Sequence, residues 1–228
     1  MRAHNFSLYV KRLGIFGGSF NPVHIGHCAV AEHFVQHAKL DRCVFVPTFI
    51  SPFKSDEPAA ADPYRRLAML RSVCRTNARF AVSDVELRRK DVSYTVHTLR
   101  HFREQHPGAQ LFLLVGRDLL ARFDEWREWE EIVRIATVCV AGRPFASVEG
   151  SDDHPMLQRI AETGNAPIEL TPPRIELSSS MIRTMCAAGE SIRYVVPDSV
   201  RRIIRRHGLY TSHQAQAGTA KTSISTIT

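Results

Sequence analysis

The feature that most limits what this chain can become is the alternation of six short apolar runs with longer helical patterns. The runs are "RLGIFG", "RCVFVP", "RFAVSDVEL", "QLFLLVG", "ATVCVAG" and "IEL". Between them, apolar residues recur at helical spacing over 26–38, 62–77, 95–106 and 119–134, and again over 179–188 and 198–207. Continuous apolar strands separated by amphipathic helices fit a parallel sheet covered on both faces. The expected fold class is therefore α/β, a doubly wound Rossmann-like sheet with a small helical part at the C-terminal end.

A chain of 228 residues with 44% hydrophobic and 23% charged residues is long enough for one sizeable core. We expect a single domain over 1–210. The stretch 211–228, "TSHQAQAGTAKTSISTIT", has few large apolar residues and no period, and is expected to be disordered. The Pro-rich stretch around 49–62 and "GRPFASVEGSDDHP" read as loops. No run of about eighteen apolar residues is present to span a membrane, and the first residues lack a secretory signal. Cys28, Cys43, Cys74, Cys139 and Cys186 are scattered, with no Cys-x-x-Cys pair to suggest zinc. They read as reduced, mostly buried thiols of a cytoplasmic protein. Thirty Lys and Arg against 23 Asp and Glu give +7, which favours anionic partners such as nucleotides or nucleic acid.

"IFGGSFNPVHIGH" follows the first strand. Gly17 and Gly18 offer positive φ and a close approach to backbone N–H groups at the strand end where doubly wound sheets bind nucleotides. Asn21-Pro22 resembles an N-cap with proline in the first turn, although the helix could equally start near His24. His24 and His27 are three apart, so both imidazoles share one face at the positive end of a helix, a place for oxyanions. Gly26 between them suits the close approach of a base or ribose. Neither the Gly-Lys-Ser/Thr of a Walker loop nor a Gly-x-Gly-x-x-Gly fingerprint is present.

"GGSFNPVHIGH" resembles the signature of the HxGH nucleotidyltransferases. "ELSSSMIRTM" resembles their second signature, although alone it would be an ordinary serine cap beside an exposed arginine. Three further stretches, "DVSYTVHTL", "VGRDLLARFDEWREWEEI" and "YVVPDSVRRIIRRHGLY", resemble segments of the nicotinate mononucleotide adenylyltransferases in the same order. The resemblance spans about Leu13 to Tyr210 and implies adenylyl transfer from MgATP to nicotinate mononucleotide, giving pyrophosphate. Mg²⁺ would be held mainly by the phosphates of ATP. The implied catalytic residues are His24, His27 and Arg183. The implied ATP-binding set is Gly17, Gly18, Ser19, Phe20 and Gly26, then Gly116, Asp118 and Arg143, and finally Ser178, Ser179 and Ser180. The mononucleotide would meet Asn21, Lys54, Thr95 and Trp126, with Trp129 left in the core.

Each of these has an ordinary alternative: Asp118 and Thr95 as helix caps, Trp126 as a core aromatic, Lys54 as a solvated side chain. The chain departs from the family at Phe53, where His is usual, at Arg117, where a small residue stands, and at His97, where Asp stands. Asn21 replaces the usual bacterial Asp, which leaves the choice between nicotinate and nicotinamide mononucleotide open. Less similar alternatives are phosphopantetheine adenylyltransferase and a basic RNA-binding protein. Neither nucleic acid nor a membrane is an expected partner, and the sequence leaves room for a homo-oligomer.

Overall fold

The computed structural model describes residues 10–52, 61–142 and 154–212. Phe53, Lys54, Arg143 and the tail from 213 onward lie outside the described residues. Six strands form one parallel sheet: β1 (Arg12–Gly18), β2 (Arg42–Pro47), β3 (Phe80–Val82), β4 (Gln110–Gly116), β5 (Ala136–Ala141) and β6 (Ile168–Leu170). Their spatial order is β3-β2-β1-β4-β5-β6. The winding direction reverses between β1 and β4, and a crevice opens beyond their carboxyl ends, where this topology binds ligands. There, Gly18 is opposite Pro47 and Gly116 is opposite Ala141.

Alternating side chains feed two cores. On one face Phe45, Phe112, Leu114 and Cys139 meet α1 (Ile25–His37), α2 (Pro63–Cys74), α7 (Ser179–Ala187) and α8 (Asp198–Arg206). On the other, Ile15, Val44, Leu113, Val115 and Val140 meet α3 (Val85–Arg89), α4 (Thr95–Gln105), α5 (Trp129–Ile135) and α6 (Pro155–Thr163). Complete burial of one such Leu, Ile, Val or Phe stabilises by about 1.5–3 kcal/mol. Gly14 in β1 keeps the first helix close, because a Cβ there would collide with Leu40 and Phe34.

Three local readings are corrected. The expected helix over 119–134 is a 3₁₀ stretch, Arg117–Glu125, followed after a left-handed Glu128 by α5. Its apolar residues Leu120, Phe123, Trp126 and Trp129 recur every third position, which is the 3₁₀ period and not the α period. "RFAVSDVEL" is a strand only through Val82, and its second half is α3. α6, which the sequence reading passed over, starts at Pro155 with the His154 side chain accepting from Met156 N–H. It buries Met156, Leu157 and Ile160.

Cys43 and Cys139 are buried and the other three cysteines partly so, all as free thiols. Burial pushes Cys28 up to about 11 and Cys139 up to about 12, so both stay protonated. No helix among the described residues is long and apolar enough to cross a membrane. Much of the basic surface is matched within the protein, as in Arg79–Glu32, Arg100–Glu128, Arg159–Asp124 and Arg201–Asp198.

Candidate active site

The turn after β1 keeps Gly17 and Gly18 in the strand, and neither adopts positive φ. The left-handed residue is Phe20, at φ 47, whose ring is buried against Phe16, Phe45 and His27 at centroid distances of 5.2, 5.6 and 5.1 Å. Gly17 is exposed, with nothing within 4 Å of where a Cβ would stand, so the strand end presents bare backbone to the crevice. Asn21-Pro22, joined by a cis peptide, does not cap the helix. His24 does, because an imidazole nitrogen can accept what an asparagine oxygen would.

The two histidines cap each other. His24 Nδ1 accepts the His27 N–H at 3.4 Å, and His27 Nδ1 accepts the His24 N–H at 3.3 Å. The ring centroids are 3.7 Å apart. With both Nδ1 atoms accepting, the protons sit on Nε2, and each ring offers one Nε2–H donor. Burial lowers the His24 pKa to about 4, so its donor is uncharged at neutral pH. Gly26 is explained by the same arrangement: a Cβ there would stand 3.0 Å from His24 Nδ1 and 3.1 Å from its Cε1. The glycine makes room for the capping ring, and this close approach lies within the protein itself.

α7 faces this turn, and its serines divide the work. Ser178 Oγ accepts the Met181 N–H at 3.1 Å and caps the helix; Ser179 donates to the Pro22 carbonyl at 2.9 Å. Arg183 donates from Nη1 to the Asn21 carbonyl at 2.9 Å and from Nη2 to Ser180 Oγ at 3.1 Å. A cation and a helix N-terminus are thereby fastened beside the histidine pair. Beside the histidine pair a cleft is lined by Phe16, His24, Gly26, His27 and Val30 on one side and by Pro173, Ile175 and Leu177, ahead of α7, on the other. Its apolar walls suit a flat ring.

Asn21 is 1% exposed. Its Oδ1 accepts from Ala61 N–H at 3.1 Å and from Tyr210 OH at 2.8 Å, so this side chain ties three segments together. Gly116 ends β4, and a Cβ on it would collide with Asp118 Oδ1, which keeps the carboxylate over the strand end. Asp118 is exposed and makes no capping bond, since the stretch beginning at Arg117 has no side-chain cap. Thr95 opens α4 half-buried, and that helix also has no side-chain cap. Trp126 packs partly buried on Phe123 at 5.0 Å, and Arg127 lies over the Tyr94 ring at 4.8 Å, so the start of α4 and the Trp126 segment adjoin. Trp129 packs against the core, with Arg159 5.0 Å over its ring.

Arg117 sits one residue past Gly116 and follows Val115 and Leu113 onto the α5–α6 side of the sheet, away from the cleft. There it is 5% exposed and pairs with Glu169 of β6. Gly142 accommodates it, as a Cβ there would stand 2.8 Å from Arg117 Cβ. His97 adjoins Tyr94 at 5.7 Å, and burial, then Arg89, Arg127 and Arg100, lower its pKa. The sequence reading missed Pro173, Ile175 and Leu177, which lie in the irregular stretch "TPPRIEL", and Tyr210, whose hydroxyl bond spans 189 residues.

The model of the cytidylyltransferase-like family matches residues 15–185. A protein of Rhodopirellula baltica named "Probable nicotinate-nucleotide adenylyltransferase" is 37% identical over 204 residues, covering 87% of this chain and 92% of its own length. One of Neisseria meningitidis serogroup B with the same name is 37% identical over 203 residues, covering 88% and 99%. The structure of Plasmodium falciparum nicotinic acid mononucleotide adenylyltransferase complexed with NaAD superposes with a TM-score of 0.67 at 17% identity. It covers 88% of this chain and 97% of that one.

Proposed function

We infer that this chain, which belongs to the nicotinate-nucleotide adenylyltransferases within the cytidylyltransferase-like family, transfers the adenylyl group of ATP to nicotinate mononucleotide. The acceptor phosphate attacks the α-phosphorus in line, the bond to the β-phosphate breaks, and nicotinate adenine dinucleotide and pyrophosphate leave. A phosphate is already ionised near neutral pH, so the protein's task is positioning and charge stabilisation, without a covalent intermediate. The observation that carries this reading is the reciprocal capping of His24 and His27, which sets both rings in the Nε2–H tautomer near Arg183 and the α7 N-terminus. Such donors are set before the reaction begins and oppose the charge that builds on the leaving pyrophosphate.

We place the adenosine in the cleft between Gly26 and Ile175, with Gly17 to Phe20 and Ser178 to Ser180 around the triphosphate and Asp118 near the ribose. Arg143 would complete that side. Asn21, Lys54, Thr95 and Trp126 are assigned to the mononucleotide. The Asn21 side-chain oxygen already has two donors, whereas its buried Nδ2 has no hydrogen-bond partner among the described residues, so the amide N–H is the group we assign to the mononucleotide. A Mg²⁺ would come in with the triphosphate, held mainly by its phosphates and by waters. That ion would neutralise part of the pyrophosphate charge. The free cysteines suit a reducing compartment, and we assign the enzyme to the cytoplasm.

The test is pyrophosphate release from ATP with each acceptor in turn. Nicotinate mononucleotide should give kcat/KM at least about tenfold above that of nicotinamide mononucleotide, the scale on which one substrate group is discriminated. Equal values would replace the reading with a dual-acceptor enzyme. No release with either would refute it.

A further inference from the structure

A second buried cation at the carboxyl edge of the sheet is Arg66, close enough to the buried Glu86 for their charges to interact. It lies on the core-facing stripe of α2 with Met69, Leu70 and Val73, where a hydrophobic residue would be expected, and it is 4% exposed. A buried guanidinium is tolerated only where its donors are met. Here Nη1 donates to the Ser19 carbonyl at 2.7 Å, Nη2 to the Thr48 carbonyl at 2.7 Å and Nε to the Ala61 carbonyl at 3.3 Å. The three acceptors belong to three separate segments: the turn after β1, the exit from β2 and the approach to α2.

We propose that Arg66 is a positioning residue for the adenylyl transfer, holding the segment after β2 in fixed relation to the phosphate-binding turn after β1. The proposal rests on the function inferred above. The two segments differ in how else they are held. The turn after β1 has Phe20 buried in the core, Asn21 O bonded to Arg183 and Pro22 O bonded to Ser179. Thr48 to Pro52 buries no side chain in the core and is held by hydrogen bonds, among them the Thr48 N–H on Gly18 O at 3.0 Å, Phe49 N–H on Ser93 Oγ at 3.0 Å and Ser93 N–H on Ile50 O at 2.9 Å. Loss of Arg66 therefore loosens the segment after β2 more than the histidine pair. That segment borders the acceptor side, and an acceptor displaced by about 1 Å can lose on the order of 10²-fold in rate. Lysine cannot replace the guanidinium, because a single ammonium lacks the fork that reaches several acceptors at once.

The full chain is compared with Arg66→Met, Arg66→Lys and, as a control, the exposed neighbour Arg65→Gln. Steady-state pyrophosphate release is measured while each substrate is varied. Titration calorimetry follows, with ATP alone and with nicotinate mononucleotide alone. Arg66→Met should raise KM and Kd for the mononucleotide about tenfold or more and lower kcat by roughly 10²-fold, with the ATP constants moving less than about threefold. Arg66→Lys should fall between it and the wild type, with the same asymmetry, and decides the matter if the methionine variant does not fold. Equal rises for both substrates would reduce Arg66 to a structural role, and wild-type constants in a folded Arg66→Met would overturn the proposal while leaving the function intact. A wild-type enzyme that releases no pyrophosphate would refute the function first, and the proposal with it.

Discussion

The end of the site proposed for the triphosphate and the side proposed for the acceptor are held by different means. At the phosphate end the rings of His24 and His27 are locked by each other's backbone N–H groups, and α7 is fastened by Ser179 and Arg183 to main-chain carbonyls. On the acceptor side, Thr95 and Trp126 come from a helix start and a 3₁₀ exit, brought together by ring and guanidinium contacts such as Arg127 over Tyr94. Outside them lies the exposed set Arg100, Glu128 and Glu131. Exposed pairs of this kind contribute little and weaken with salt, whereas the caps do not depend on charge. The difference implies a rigid site for the triphosphate, shared by any acceptor, and an adaptable one where the acceptor is chosen.

That contrast can be broken by substitution. The largest effect is expected from His27→Ala, which removes a transition-state donor and the reciprocal cap together. Turnover should fall by roughly 10²–10³-fold, with KM for the mononucleotide nearly unchanged. A folded variant with turnover within a few-fold of wild type would end the assignment of His27 to the leaving pyrophosphate. Gly26→Ala comes next. Its Cβ would press on the His24 ring and turn the Nε2 donor away, so kcat should drop by on the order of tenfold or more. If Gly26 instead serves only ligand approach, the loss would appear in the ATP KM alone. Trp126→Ala should raise the mononucleotide KM by about tenfold, the value of a lost aromatic contact, and spare the ATP KM. A change in the ATP constant would move Trp126 out of the acceptor side.

Proton dependence separates the two regions more finely. His24 has a folded pKa of about 4 against 6.5, so below pH 6.5 the unfolded chain takes up the proton first. The stability it contributes is fully present above pH 6.5 and is lost as pH falls toward 4. Equilibrium urea unfolding across that interval, comparing wild type with His24→Asn, should show the loss in the wild type alone. The kcat profile should show no inflection from His24 near pH 6.5, and such an inflection would mean the ring is not held neutral. The smallest effect is expected at Arg117. Its pair with Glu169 lies on the other side of the sheet, so Arg117→Leu should leave both KM values within about twofold. Glu169 is 43% exposed, so stability should shift by only about 1 kcal/mol, measured by urea midpoint.

How far the sequence revealed the molecule follows from the range of the interactions. All six apolar runs became strands in one sheet, because a buried strand is recorded in consecutive letters. The histidine pair was legible for the same reason, since its reciprocal cap closes within four residues. The 3₁₀ stretch was misread because apolar residues three apart satisfy a helical template until the period is counted. The glycines at 17 and 18 suggested a left-handed turn, yet Phe20 takes that conformation, its ring anchored in the core. The sequence placed Asn21 in the histidine motif, but its bonds to Ala61 and Tyr210, and that of Arg66 to Ser19, join residues 40, 189 and 47 apart, which no local pattern records.

The Tyr210 hydroxyl on Asn21 Oδ1 also sets an order in time. The turn that carries both histidines is synthesised first, and the side chain that helps close it comes 189 residues later. At about 5–20 residues per second, the ribosome needs roughly 10–40 s to cover that interval. Throughout it the nascent chain has both histidines but not the bond that braces their turn. A chain released early, before α8, would be left with Asn21 short of one donor, and the finished site would belong only to molecules whose synthesis had passed Tyr210.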